Sequence, residues 1–171
     1  MDKIFGIGLP KTGHTSLTRA LEILGYKSIK IPIACVNDDL SIKYDSLKDY
    51  NAWTDTPITM KYTELDKLYP DARFILLHRN IITWEESCSF WFSLDIPDYH
   101  NLHKSIFGSA SYVDVYTSYY NNLFSYFLNY RCGSKYIILD ICAEYGWSQI
   151  CEFLNKDIPN VSFPHLNKRE G

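Results

Sequence analysis

Nine residues near the start of the chain, Gly8-Leu9-Pro10-Lys11-Thr12-Gly13-His14-Thr15-Ser16, bring two glycines, a lysine and adjacent hydroxyl residues together directly after the apolar run from Lys3 to Gly8. A glycine-bounded turn between a strand and a helix presents successive backbone N–H groups and the positive end of the helix dipole to one point, and a phosphate fits there. Thr15 and Ser16 add hydroxyl donors at the helix start, while Lys11 brings a charge in from the loop. Gly8 and Gly13 have the spacing of the nucleotide-hydrolysing loop GxxxxGK[ST], but His14 stands where its lysine belongs. The plain alternative is an ordinary turn in which Thr15 or Ser16 caps the helix.

A second set of anion-binding types lies further on. Arg79 follows the apolar run Ala72 to Leu77, and Ser87 comes eight residues after it. At the carboxyl end of a parallel strand Arg79 faces the same crevice as the first loop, and Ser87, two turns into the next helix, faces back toward it. Arginine offers phosphate a planar bidentate donor. Asp55, in Trp53-Thr54-Asp55-Thr56-Pro57, stands at the end of a further short strand whose tip opens onto that crevice. It serves equally well as a cap for the turn before Pro57. Trp84, Phe90, Trp91 and Phe92 line a pocket or simply pack, and His100 and His103, three apart, have no Cys or carboxylate cluster that completes a metal site beyond Asp95 and Asp98.

The elements that must position these residues alternate along the chain. Strands are expected over 3–8, 26–33, 51–56, 72–77 and 135–140, the last two buried, and helices over 16–24, 59–68, 82–94, 111–130 and 147–154, with 38–50 a polar helix or irregular segment. Such alternation predicts an α/β fold: one domain over residues 1–171, with a central parallel β-sheet flanked by helices. The tyrosine and phenylalanine stripe Tyr112, Tyr116, Tyr119, Leu123 and Phe127 reads as core.

Composition limits the partners. The 171 residues carry a net charge of -3, without the basic surplus that nucleic acid or an anionic membrane surface would ask for, so any anion site is local. No run approaches the length of a membrane span and a strand begins at once, which predicts a soluble, cytoplasmic chain. Five scattered cysteines without a CxxC pair suggest neither disulfides nor zinc.

The order Pro10-Lys11-Thr12-Gly13-x-Thr15-Ser16-Leu17 after the first strand resembles the 5′-phosphosulfate loop of the sulfotransferases, and Arg79 with Ser87 resembles their 3′-phosphate site. The run Leu139-Asp140, Gly146-Trp147, Glu152-Phe153-Leu154, Pro159 and Phe163-Pro164-His165-Leu166-Asn167 is similar to the ending of one subfamily. The departure is His14, where the family commonly has a small hydroxyl residue. The resemblance implies a P-loop-containing nucleotide hydrolase-like fold. It implies transfer of a sulfuryl group from 3′-phosphoadenosine 5′-phosphosulfate (PAPS) to a hydroxyl or amine of a small acceptor, with PAP released and no metal required. Pro10, Lys11, Thr12, Gly13, His14, Thr15, Ser16, Arg79 and Ser87 would hold the donor. Lys11 would also act in catalysis, as would Asp55, placed as general base by position alone, and His14, which together with His165 is the next base to consider. A non-catalytic PAP-binding descendant and a P-loop NTPase or kinase are the rival readings, the latter lacking the lysine after Gly13. The chain is shorter than most relatives, which implies a reduced acceptor region.

Overall fold

The computed structural model describes residues 3–31, 35–37, 39, 41–94, 104, 107–108, 110–130, 135–143 and 146–166. Five strands, β1 (Ile4–Ile7), β2 (Ser28–Lys30), β3 (Ala52–Thr54), β4 (Arg73–Leu77) and β5 (Tyr136–Leu139), form one sheet in the order β2-β3-β1-β4-β5. Every pairing is parallel, with Phe5 beside Trp53 on one side and Phe74 on the other. Among the described residues the α-helices are α1 (His14–Ile23), α2 (Tyr62–Leu68), α3 (Ile81–Ser93), α4 (Tyr112–Tyr130) and α5 (Trp147–Leu154).

Parallel strands need helical crossovers, which cover both faces of the sheet and make its central strands apolar throughout. Side chains alternate between those faces. Phe5, Ile7, Trp53, Phe74 and Leu76 enter one core with Trp84 of α3 and Tyr119, Tyr120, Leu123 and Phe127 of α4. Ile4, Ala52, Ile75 and Leu77 enter the other with Leu17 and Leu21 of α1 and Trp147 and Ile150 of α5. The aromatic stripe of α4 is therefore core: Phe74 and Phe127 lie 4.9 Å apart, ring to ring.

Expectation and structure differ at three places. The strand at 135–140 is an edge, not a buried strand: among the described residues β5 pairs with β4 alone, and Ile138 is 42% exposed. The second strand shortens to β2, and residues 32–33 of its expected range lie outside the described residues. The helix expected over 59–68 divides into a 3-10 turn at Ile58–Met60 followed by α2. The segment 38–50 takes the irregular of its two expected forms: its described residues make a 3-10 turn at Tyr44–Leu47, and Ile42 forms a lone antiparallel bridge with Val36, just before the segment. No described helix is long and apolar enough to cross a membrane.

What this topology does for the site is set by β1. The chain leaves β1 toward β2 at one edge and leaves its neighbour β4 toward β5 at the other, so these two adjacent strands send the chain in opposite directions. Connections leaving the carboxyl ends of such strands diverge, and a crevice opens between them.

Candidate functional site

The loop from Gly8 to Gly13 joins β1 to α1 at that crevice. A Cβ on Gly8 would lie 2.4 Å from the Leu77 carbonyl oxygen and 2.9 Å from Thr12 Oγ1, so only glycine lets the loop lie this close to the end of β4. Thr12 is fully buried and donates from Oγ1 to the Leu9 carbonyl at 2.7 Å, closing the turn on itself. Gly13, at φ 103°, is the N-cap of α1 and supplies no side-chain cap. The first turn of a helix leaves its N–H groups without intrahelical acceptors. Here they meet the crevice with the dipole's positive end, and Thr15 and Ser16 lie inside the helix instead of capping it.

Neighbouring elements brace the loop from the side. Trp84 Nε1 donates to the Pro10 carbonyl at 2.8 Å, and Arg79 Nη1 donates to the Lys11 carbonyl at 3.3 Å. From α4, Tyr120 donates to the Leu77 carbonyl at 2.8 Å and accepts from the Leu9 N–H at 3.4 Å, while Tyr116 donates to the Arg79 carbonyl at 2.6 Å. Asn80 caps α3 by accepting from the N–H groups of Ile82 and Thr83, which fixes the helix that carries Ser87.

Most of the residues singled out in the sequence meet in this one crevice. Pro10, Lys11, Gly13, His14 and Thr15 line it from the loop and α1; Asp55 lines it from the tip of β3, Arg79 from the tip of β4 and Ser87 from α3. Thr12 and Ser16 do not line it. Thr12 is turned inward, and Ser16 Oγ accepts the Leu166 N–H at 3.0 Å, anchoring the carboxyl-terminal segment to α1. His165 meets Phe163 edge-on, ring centres 5.6 Å apart, and does not line the crevice either, although Leu166 does. The aromatic run of α3 splits in its use. Trp84 is buried core, Phe92 packs on Phe107, Phe90 is exposed, and Trp91 lines the crevice with Lys11 Nζ 4.1 Å from its ring centre.

The charges are lopsided for a chain of net charge -3. Among the described residues, Lys11, Lys30 and Arg79 face the crevice against a single carboxylate, Asp55. Burial holds the Lys11 ammonium below the usual lysine range, and repulsion from Lys30 and Arg79 adds to it, with Asp55 pulling the other way. Three crowded cations with one counter-charge make a ready place for an anion. The Asp55 carboxylate is itself held: Oδ1 accepts the Thr56 N–H at 2.8 Å and Oδ2 meets Lys30 Nζ at 3.2 Å. Burial pushes this carboxyl up, but His14, Lys30 and the Thr56 N–H outweigh it, and the net direction is below the usual carboxylate range.

His14 is buried with both ring nitrogens engaged by main chain. Nε2 lies 3.0 Å from the Gly8 carbonyl, and Nδ1 accepts the Asp55 N–H at 3.1 Å. Burial drives its pKa down, so the ring is neutral at physiological pH. Neither nitrogen is open to exchange a proton with a molecule in the crevice in this arrangement, in contrast with the catalytic part expected for it.

Sequence reasoning missed Lys30. It closes β2, at the far side of β3 from the loop, and only the register that sets Lys30 beside Thr54 brings it to Asp55. A lysine ending a short apolar strand was the available signal. The bracing hydroxyls of Tyr116 and Tyr120 were hidden inside an aromatic stripe that also reads as core. Among the described residues no His, Cys, Asp and Glu side chains cluster as a metal site would need, while His100 and His103 lie outside the described residues.

A parallel α/β sheet with a glycine-bounded turn feeding a helix at its topological switch defines a broad class of anion-handling proteins. Comparison narrows it. The family model of the sulfotransferase domain matches residues 3–135 and 99–171, and the chain belongs to that family. It is also similar to the Ava biosynthesis cluster protein M of Aspergillus versicolor, at 23% identity over an aligned length of 219 residues that takes in 99% of this chain and 82% of the relative.

Proposed function

We propose that the protein is a PAPS-dependent sulfotransferase that moves a sulfuryl group to a hydroxyl or amine of a small acceptor. The observation that carries this reading is the meeting, at one crevice, of an uncapped helix start, Lys11, Arg79 and Ser87, with Asp55 lining the same crevice. Family membership supports the transfer; the arrangement of charges supports the donor.

A donor with phosphates at both ends of a nucleoside fits this lining. The 5′ end meets the N–H groups and hydroxyl of the first turn of α1, with Lys11 beside them. Arg79 and Ser87 take the 3′-phosphate, Arg79 through two parallel N–H bonds of the kind it now spends on Thr83 Oγ1 and the Lys11 carbonyl. Bound there, PAPS supplies a sulfuryl group whose S–O bond to the 5′-phosphate breaks as the acceptor oxygen or nitrogen bonds to sulfur. Lys11 and the loop N–H groups stabilise charge as it grows on the departing phosphate, in a site where the surrounding apolar residues strengthen each contact. Asp55, ionised and aimed by Thr56 and Lys30, takes the acceptor's proton. Asp55 then passes the proton to solvent and, charged again, regains its ion pair with Lys30.

Thermal unfolding with PAP, ADP and ATP plus magnesium tests the donor. PAP, which engages both anion sites, raises Tm well above either of the others; a larger rise with ATP and magnesium would overturn the reading in favour of a nucleotide triphosphatase or kinase. A chain that binds PAP yet releases none from PAPS with any acceptor offered would be a binding protein instead.

A further inference from the structure

His14 occupies the one loop position where the family pattern has a small hydroxyl residue, and its ring does something a small residue is too short to do. A backbone N–H can only donate, so the 3.1 Å contact from Asp55 N requires a lone pair on Nδ1, and the hydrogen therefore sits on Nε2, directed at the Gly8 carbonyl at 3.0 Å. One neutral tautomer satisfies both contacts. The ring thus ties the end of β1 to the residue that follows β3. The same seam is sewn by Thr59 Oγ1, which donates to the Gly8 carbonyl at 2.7 Å, and by the Thr18 and Thr54 hydroxyls, 2.6 Å apart between α1 and β3.

Asp55 needs such a tie. At φ 74° it stands in the left-handed region, which disfavours a residue with a Cβ and persists only where the surroundings enforce it. Its N–H, held by His14, and its carboxylate, held by Thr56 N–H and Lys30, fix the residue from both ends. We propose that His14 is the positioning residue of this site: its neutral Nε2–H imidazole locks the backbone of Asp55 in the left-handed turn that directs the carboxylate into the crevice toward Lys30. The catalytic meaning of that aim rests on Asp55 acting as the base of the proposed transfer.

The test uses two substitutions that each keep half of the ring's bonding. His14→Asn leaves a side-chain oxygen near the place of Nδ1, within reach of the Asp55 N–H. His14→Gln leaves a donor near the place of Nε2 and no acceptor for Asp55. The readout is the titration of the Asp55 carboxyl carbon by NMR, with PAP binding to the wild-type chain measured in parallel. In the wild type the carboxyl titrates below the ordinary aspartate value of about 3.9, and in His14→Asn, which loses the imidazole but keeps the acceptor, it stays closer to the wild type than in His14→Gln. In His14→Gln it moves up toward that value as the carboxylate drifts from Lys30. An unmoved titration in His14→Gln, or an equal shift in both variants, would overturn the assignment. So would nitrogen chemical shifts of the wild-type ring at neutral pH that show a hydrogen on Nδ1, a measurement that stands even if the variants fold poorly. Failure of the wild type to bind PAP would instead remove the donor reading while leaving the link between His14 and Asp55 intact.

Discussion

A base that works at neutral pH must be unprotonated there, and Asp55, the proposed base, lines the crevice with its carboxyl held below the usual aspartate range. Its ion pair with Lys30 and its bond from the Thr56 N–H favour the charged form, so the carboxylate persists through the neutral range and loses its charge only as pH falls below the ordinary aspartate range. Substitution with asparagine keeps the shape and suits the left-handed backbone while removing the negative charge. Asp55→Asn should therefore leave PAP affinity within a few-fold of wild type, as measured by calorimetry. Release of PAP from PAPS in the presence of a working acceptor should fall roughly a hundred- to ten-thousandfold. Turnover within a few-fold of wild type would move the base elsewhere. The same residue shows what a sequence withholds. Asp55 before Pro57 could be marked as a strand-tip carboxylate from Trp53-Thr54-Asp55-Thr56-Pro57, but its partner Lys30 lies on another strand, and the imidazole on its N–H was visible only as an odd residue in a loop.

At the scale of elements, the turn between β1 and α1 is built by contacts that leave no tolerance. Gly8 lies against the main chain of β4, and an added methyl group would approach the Leu77 carbonyl oxygen to 2.4 Å, a backbone atom already fixed by the Tyr120 hydroxyl. Gly8→Ala should thus destabilise the protein by about 1–3 kcal/mol, the usual range for an overpacked core, read as a lower urea midpoint with unchanged slope. Stability equal to wild type would mean that the loop stands off β4. Much of this element was legible in advance. The apolar run before Gly8 and the leucine spacing after Ser16 announce a strand, a turn and a helix, and Arg79 with Ser87 announces a strand tip and the helix after it. Less legible was the sheet edge. Tyr136 to Leu139 is as apolar as a central strand, yet pairing with β4 alone leaves Ile138 exposed, because apolarity reports what a strand can bury and not how many neighbours it has. The hydroxyl of Ser16 was likewise read as a donor to a ligand, whereas a segment 150 residues away takes it up, a contact no local pattern encodes.

For the molecule as a whole, the sheet order sets β1 beside β4, and the proposed donor spans the carboxyl ends of these two strands. One end meets the loop and α1, the other meets Arg79 at the tip of β4 and Ser87 on α3. Arg79 also braces the loop through the Lys11 carbonyl, so its loss loosens both ends and absolute affinity alone is a poor guide. The ratio of two affinities is a better one. PAP and AMP differ by the 3′-phosphate, and a charge-assisted hydrogen bond contributes roughly 1.5–3 kcal/mol, equivalent to about ten- to a hundredfold in affinity. Calorimetric titration of wild type and Arg79→Ala with both ligands is the most direct test of the central claim. The account predicts that wild type prefers PAP over AMP by at least that factor and that Arg79→Ala abolishes most of the preference; equal affinities in the wild type, or a preference that survives the substitution, would contradict it.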